Sequence, residues 1–84
     1  MTEAEIRKLA AEVLGDIAPE ADPDTLSDDE DLREALDLDS MDFLNFVIAL
    51  NERTGVEVPE ADYGEVNTVA KAVAYLNGHG AAVA

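Results

Sequence analysis

Apolar residues recur at helical spacing in three stretches of this 84-residue chain. In the first, Ile6, Leu9, Ala10, Val13 and Ile17 share one face, the mark of an amphipathic helix packed on a core. Thr2 and Glu5 stand at capping-box spacing before it, each side chain placed to satisfy the other's backbone amide. Pro19 limits extension beyond it. The pattern predicts a helix over residues 3 to 17. A second helix is predicted from Ser40 to Arg53, ended by Gly55, with Phe43, Phe46, Val47 and Leu50 on its core side. A third starts near Asn67 or Thr68, either of which can cap it. Its apolar stripe is Val66, Val69, Ala70, Val73 and Leu76, and Asn77-Gly78 stops it. The closing "HGAAVA" reads as a frayed tail.

Residues 18 to 38 read as a long connection, broken by Pro19, Pro23 and an Asp/Ser cluster. Leu26, Leu32, Leu36 and Leu38 would tether it, and "DDEDLREAL" admits a helical turn or two. A loop of this length in a small domain tends to be functional. "VEVPEADYGE" reads as a short extended piece followed by one helical turn after Pro59. No strand signal exceeds Val56-Glu57-Val58, and no internal repeat is present. The expected fold is all-α: a small four-helix bundle with three main helices, one short third helix and a long loop between the first two. It forms one domain over residues 1–84, with residues 78–84 as the frayed tail.

Composition narrows the function. A domain of this size buries only roughly 60–65% of the surface its unfolded chain exposes, which leaves no room for a deep catalytic cleft. Hydrophobic residues make up 48% of the chain, too many for a disordered acidic tail. Without cysteine there is no disulfide, thiolate metal site or thiol nucleophile. No apolar run is long enough to span a bilayer and no signal peptide opens the chain, so a soluble, cytoplasmic, monomeric protein is expected. Twenty acids against five bases give a net charge of −15, and nucleic acid would be repelled. Twelve of the acids lie between Asp16 and Asp42, where Arg33 is the only base. Such a run keeps a loop solvated and also steers basic partners toward it.

Few residues offer chemistry. His79, the only histidine, sits between glycines in the expected tail without a fixed neighbour. Tyr63 and Tyr75 read as packing residues. The carboxylates lie in an exposed acidic setting, the reverse of the apolar pocket that general acid–base work needs. No EF-hand frame fits: counted from Asp22 the fifth and sixth positions are Leu26 and Ser27, and from Asp28 they are Leu32 and Arg33. No metal site is predicted beyond weak, nonspecific divalent binding. Ser40 remains, ringed by Asp37, Asp39 and Asp42. Two readings are open from spacing. Ser40 is itself the N-cap of the second helix, or Asp39 is the cap and Ser40 a free hydroxyl in the first turn, beside free amides and the positive dipole end that suit a phosphate. The same helix carries a second apolar stripe, Met41, Leu44 and Ile48, nearly opposite the first and rimmed by Asn45 and Glu52. Either the long loop covers this stripe or it faces partner proteins.

At Asp39-Ser40-Met41 the chain resembles the acyl carrier protein family, whose mark is Asp-Ser-Leu or Asp-Ser-Met at the start of the second helix. The likeness continues through "LDLDSMDFLNFVIALNERTGVEVPEADYGEVNTVAKAVAYL" and covers nearly the whole chain. The resemblance implies that Ser40 carries covalent 4'-phosphopantetheine, added by a phosphopantetheinyl transferase, and that its thiol holds an acyl group as a thioester. The reactive sulfur would then come with the cofactor. The resemblance further implies that Asp39, Asp42, Glu52, Glu60 and Asp62 are acidic recognition positions. They would meet acyl-activating, acyltransferase or synthase enzymes with basic docking surfaces, in fatty-acid, polyketide or specialised acyl transfer. Asp37 stands where the family often has glycine, so a differently turned loop is expected. Asn45 and Asn51 stand where many relatives carry acids, and Arg53 adds a positive charge. An aminoacyl or peptidyl carrier, or an unmodified acidic helical adaptor, are the alternatives. An enzyme is not expected.

Overall fold

The computed structural model describes residues 1–19 and 27–82. The expectations for Pro23 and Leu26 fall outside that range. Helix α1 spans Glu3–Ile17, α2 is one turn at Leu32–Ala35, α3 spans Ser40–Thr54 and α4 spans Val69–Gly78; a 3-10 helix occupies Glu60–Glu65. The described residues are helical or irregular, with no strand among them. The bundle of three main helices and one short one therefore stands, with α2 as the extra turn that "DDEDLREAL" allowed.

Each α-helix starts where a side chain replaces the missing backbone acceptor. Thr2 and Glu5 form the reciprocal capping box of α1. Thr68, rather than Asn67, caps α4 through a bond from Lys71 N. The segment after Pro59 is 3-10 rather than α. It spans six residues and has no side-chain cap, longer than the roughly three or four residues at which 3-10 runs usually stop.

Helix α1 packs against both α3 and α4. Phe46, Ile6, Leu14, Leu32, Leu50, Leu76 and Val66 are fully enclosed. Val56 and Val58 are buried on either side of exposed Glu57, so the extended step between α3 and the 3-10 helix alternates inward and outward. Two positions depart from the expected stripes. Leu14 is buried while Ile17 is half-buried, and Ala72 is buried while Ala70 is half-buried.

The expected frayed tail is not what residues 79–82 form. Gly80 takes φ +74, so the chain reverses. Gly80 N then donates to Asn77 O at 3.4 Å and Ala81 N to Leu76 O at 3.0 Å. This is the paired bonding of a Schellman motif, completed by burial of Ala81 near Leu76. Ala82 N donates to Thr54 O at 3.1 Å, and the Met1 amino group donates to Ala81 O at 2.9 Å. His79 likewise has a fixed neighbour. Its ring stacks on Tyr75 at 4.0 Å, and its Nδ1 lies 2.7 Å from Tyr75 O.

Candidate functional site

The start of α3 resolves the two readings of Ser40. Asp39 is the N-cap: its Oδ1 accepts from Asp42 N at 2.8 Å, while Asp42 Oδ2 accepts from Asp39 N at 3.4 Å. With this capping box in place, Ser40 is the first residue of the helix and is exposed. Its hydroxyl has no capping duty. It stands at the positive end of α3, in the turn whose amides have no partner within the helix.

The approach to Ser40 is fixed by the loop before it. Asp37 takes φ +53 and is the one non-glycine among the described residues in the left-handed region. Leu38 then buries its side chain, and its amide donates back to Arg33 O at 2.9 Å. Asp31 caps α2 by accepting from Arg33 N at 2.9 Å and Glu34 N at 3.2 Å. The other Asp31 oxygen accepts from Asn67 Nδ2 at 3.3 Å, and Leu32 N donates to Asn67 O at 2.8 Å. Buried Leu32 completes the anchor. Asp28 adds a further tie, since its carbonyl accepts from Ala70 N and its carboxylate pairs with Arg7. The acidic loop is thus pinned to the start of α4, and α2 carries Arg33 toward Ser40. Arg33 Nη2 donates to Ser40 Oγ at 3.4 Å.

The predicted recognition residues fall into two groups. Asp39 and Glu52 are exposed on α3, Asp42 is half-buried in its first turn, and Glu60 is exposed on the 3-10 helix. Asp62 is half-buried, and its Oδ2 accepts from Tyr75 Oη at 2.8 Å. It therefore ties the 3-10 helix to α4 as well as adding charge. That bond, followed by desolvation, holds the Tyr75 phenol above its ordinary value. Tyr63 packs edge-on against Phe43, centroids 5.9 Å apart, and seats the 3-10 helix beside the first half of α3. The core stripe Phe43, Phe46, Val47 and Leu50 is buried as expected. On the second stripe Met41 is 63% and Ile48 46% exposed, while Leu44 is half-buried. Among the described residues no loop covers Met41 or Ile48.

The sequence holds a second serine, Ser27, and the structure separates the two. Ser27 sits in a turn, where its amide bonds the Glu30 carboxylate at 3.2 Å and its carbonyl accepts from Glu30 N. It does not lie in the first turn of a long helix. The sequence assigns no role to Arg33 or Asp31, and Asn67 stands in it only as a candidate cap of the last helix. The only available signal was Arg33's status as the lone base in the acidic stretch. No three His, Asp or Glu groups among the described residues are placed to hold a metal ion.

Comparison with known proteins supplies the context for this geometry. A family described as "Phosphopantetheine attachment site" matches residues 4–76. The chain is similar to the acyl carrier protein of Lactobacillus johnsonii, 34% identical over 79 residues that cover 94% of this chain and 98% of that protein. It is similar to the acyl carrier protein of Lactobacillus acidophilus, at 30% identity over the same shares of each chain. The acyl carrier protein of Zymomonas mobilis is 32% identical over 78 residues, 93% of this chain and 94% of that one.

Proposed function

Because the chain belongs to the phosphopantetheine-attachment family together with the acyl carrier proteins, and so carries acyl groups on covalent 4'-phosphopantetheine, we propose that the arm is joined to Ser40 Oγ. The observation that carries this reading is the Asp39–Asp42 capping box, which leaves Ser40 in the first turn with an exposed hydroxyl. The residues fit such a group. A hydroxyl is available for the ester, the helix end favours an anion, and a guanidinium is within reach. In the attachment step Ser40 Oγ bonds to the phosphorus nearer the pantetheine end of coenzyme A. The pyrophosphate link breaks, the adenosine bisphosphate leaves, and the hydroxyl proton passes to a base of the transferase. The arm supplies a thiol that holds the acyl group as a thioester. This chain's own residues present the serine and meet the enzymes.

The family acts with synthases and acyltransferases. We assign their contact surface here to the start of α3, with Asp39 and Asp42, and to its outer stripe, with Met41, Leu44, Ile48 and Glu52, and to Glu60 and Asp62 on the 3-10 helix. Carboxylates would steer basic enzymes, and Met41 and Ile48 would give apolar burial once docked. The protein acts as a carrier rather than a catalyst, as a monomer in the cytoplasm. No described helix is long and apolar enough to cross a membrane. The test is loading with labelled coenzyme A and a broad-specificity transferase. The parent should take up one arm and Ser40→Ala none, while both show the same helical circular dichroism. Label retained by Ser40→Ala would overturn the assignment.

A further inference from the structure

Resting on the reading that Ser40 bears the arm, we propose that Arg33 pairs with the phosphodiester formed at Ser40 Oγ and sets the direction in which the arm leaves the protein. The guanidinium is already placed for this. Its backbone is held on both sides, the amide by Asp31 and the carbonyl by Leu38 N. The turn is anchored by buried Leu32 and by Asn67. Seven residues separate Arg33 from Ser40, yet Nη2 reaches Oγ at 3.4 Å.

That contact uses little of what the side chain offers. The distance is at the long end for a hydrogen bond, and a neutral hydroxyl accepts one donor from a group that has five. Among the described residues Arg7 and Arg53 pair with Asp28 and Glu12, whereas Arg33 has no carboxylate partner, although Glu34, Asp37, Asp39 and Asp42 surround it in sequence. An arginine that forms no ion pair with the described acids and is aimed at a serine oxygen matches the phosphodiester that replaces the hydroxyl hydrogen on modification, whose two non-bridging oxygens can each accept from the guanidinium fork. It also offsets a local cost, because each modification adds a negative charge to a chain already at −15.

The test uses parent, Arg33→Gln and Arg33→Lys proteins, each measured before and after loading from coenzyme A by the transferase. Intact mass establishes loading. The 31P resonance of the phosphodiester and the change in Tm on loading then report on Arg33. In the parent, loading should leave Tm unchanged or raise it. In Arg33→Gln it should lower Tm by a few degrees, the size expected for one charge contact in a domain of this length, and the 31P line should move. Arg33→Lys, which keeps charge but loses the fork, should restore the Tm response and only part of the 31P shift. Each Tm change is referred to the unloaded form of the same variant, so any role of Arg33 in the fold cancels. Normal loading with identical 31P lines and Tm changes in all three would overturn the proposal and leave Ser40 as the attachment site. Slower loading of Arg33→Gln with an unchanged 31P line would make Arg33 a docking residue and also overturn it. No mass gain in the parent would remove the premise, and the proposal with it.

Discussion

Two side chains decide how Ser40 is presented, and both sit just before it. Asp39 takes the capping position that Ser40 would otherwise fill. Spacing left that choice open because Asp and Ser cap about equally well; the reciprocal bond from Asp42 settles it in favour of Asp39. Replacing Asp39 by Ala should cost about 1 kcal/mol of stability and release Ser40 to cap the helix, so loading should slow beyond what the small stability loss explains. A loading rate equal to the parent's would show that the hydroxyl is available either way. Asp37 was expected to turn the loop differently because glycine is usual there. It does enter the region that glycine prefers, at φ +53, at a cost that short polar residues tolerate best. Asp37→Gly should therefore raise stability by about 0.5 kcal/mol, relief of strain outweighing the freer unfolded chain. A drop in the urea midpoint would contradict this.

Among the elements, α3 has the two-sided character that its sequence suggested. Phe46→Asp or Val47→Asp places a charge where side chains are at most 4% exposed and should unfold the domain, since loss of a core side chain alone costs roughly 3–5 kcal/mol. Ile48→Asp, at 46% exposure, should leave the melt within a few degrees of the parent. It should slow loading by about tenfold or more, the loss expected when one aliphatic contact leaves an interface. Leu44→Asp should fall between, because Leu44 is half-buried. Equal destabilisation by Ile48→Asp and Val47→Asp in thermal melts would rule out a partner-facing strip. The 3-10 helix has its own test. Asp62 holds the Tyr75 phenol above its ordinary value, chiefly by their hydrogen bond. A raised folded-state value means that this contribution is complete below the unfolded phenol's value and is lost as pH climbs through the folded one. In a Tyr63→Phe background, phenolate absorbance should therefore rise at higher pH than for a free tyrosine, and Asp62→Ala should bring it back. Helix positions and the α3 core were readable because 3.6-residue periodicity reports burial directly. The docked end of α4 was not. Helix α4 ends at Gly78 as expected, but the motif beyond it depends on the left-handed turn at Gly80 and on burial of Ala81 against Leu76, which helical periodicity does not report.

For the whole molecule, charge dominates. Only two ion pairs, Arg7–Asp28 and Arg53–Glu12, are formed among the described residues, set against a net charge of −15. Self-repulsion should destabilise the compact state, so moderate salt or millimolar divalent ions should raise Tm. A Tm indifferent to both would show that the acids are too dispersed to matter. The acidic chain as a whole was plain in the sequence, but its one functional exception was not. Arg33 lies seven residues from Ser40, and only the turn of α2 and the left-handed Asp37 fold that distance to 3.4 Å. Of the two serines in the chain, Ser40 alone should carry the arm. After loading from coenzyme A by a transferase, peptide mapping by tandem mass spectrometry should locate a single phosphopantetheine on the peptide holding Ser40, with the peptide holding Ser27 unmodified. Modification at Ser27, or none at Ser40, would contradict it.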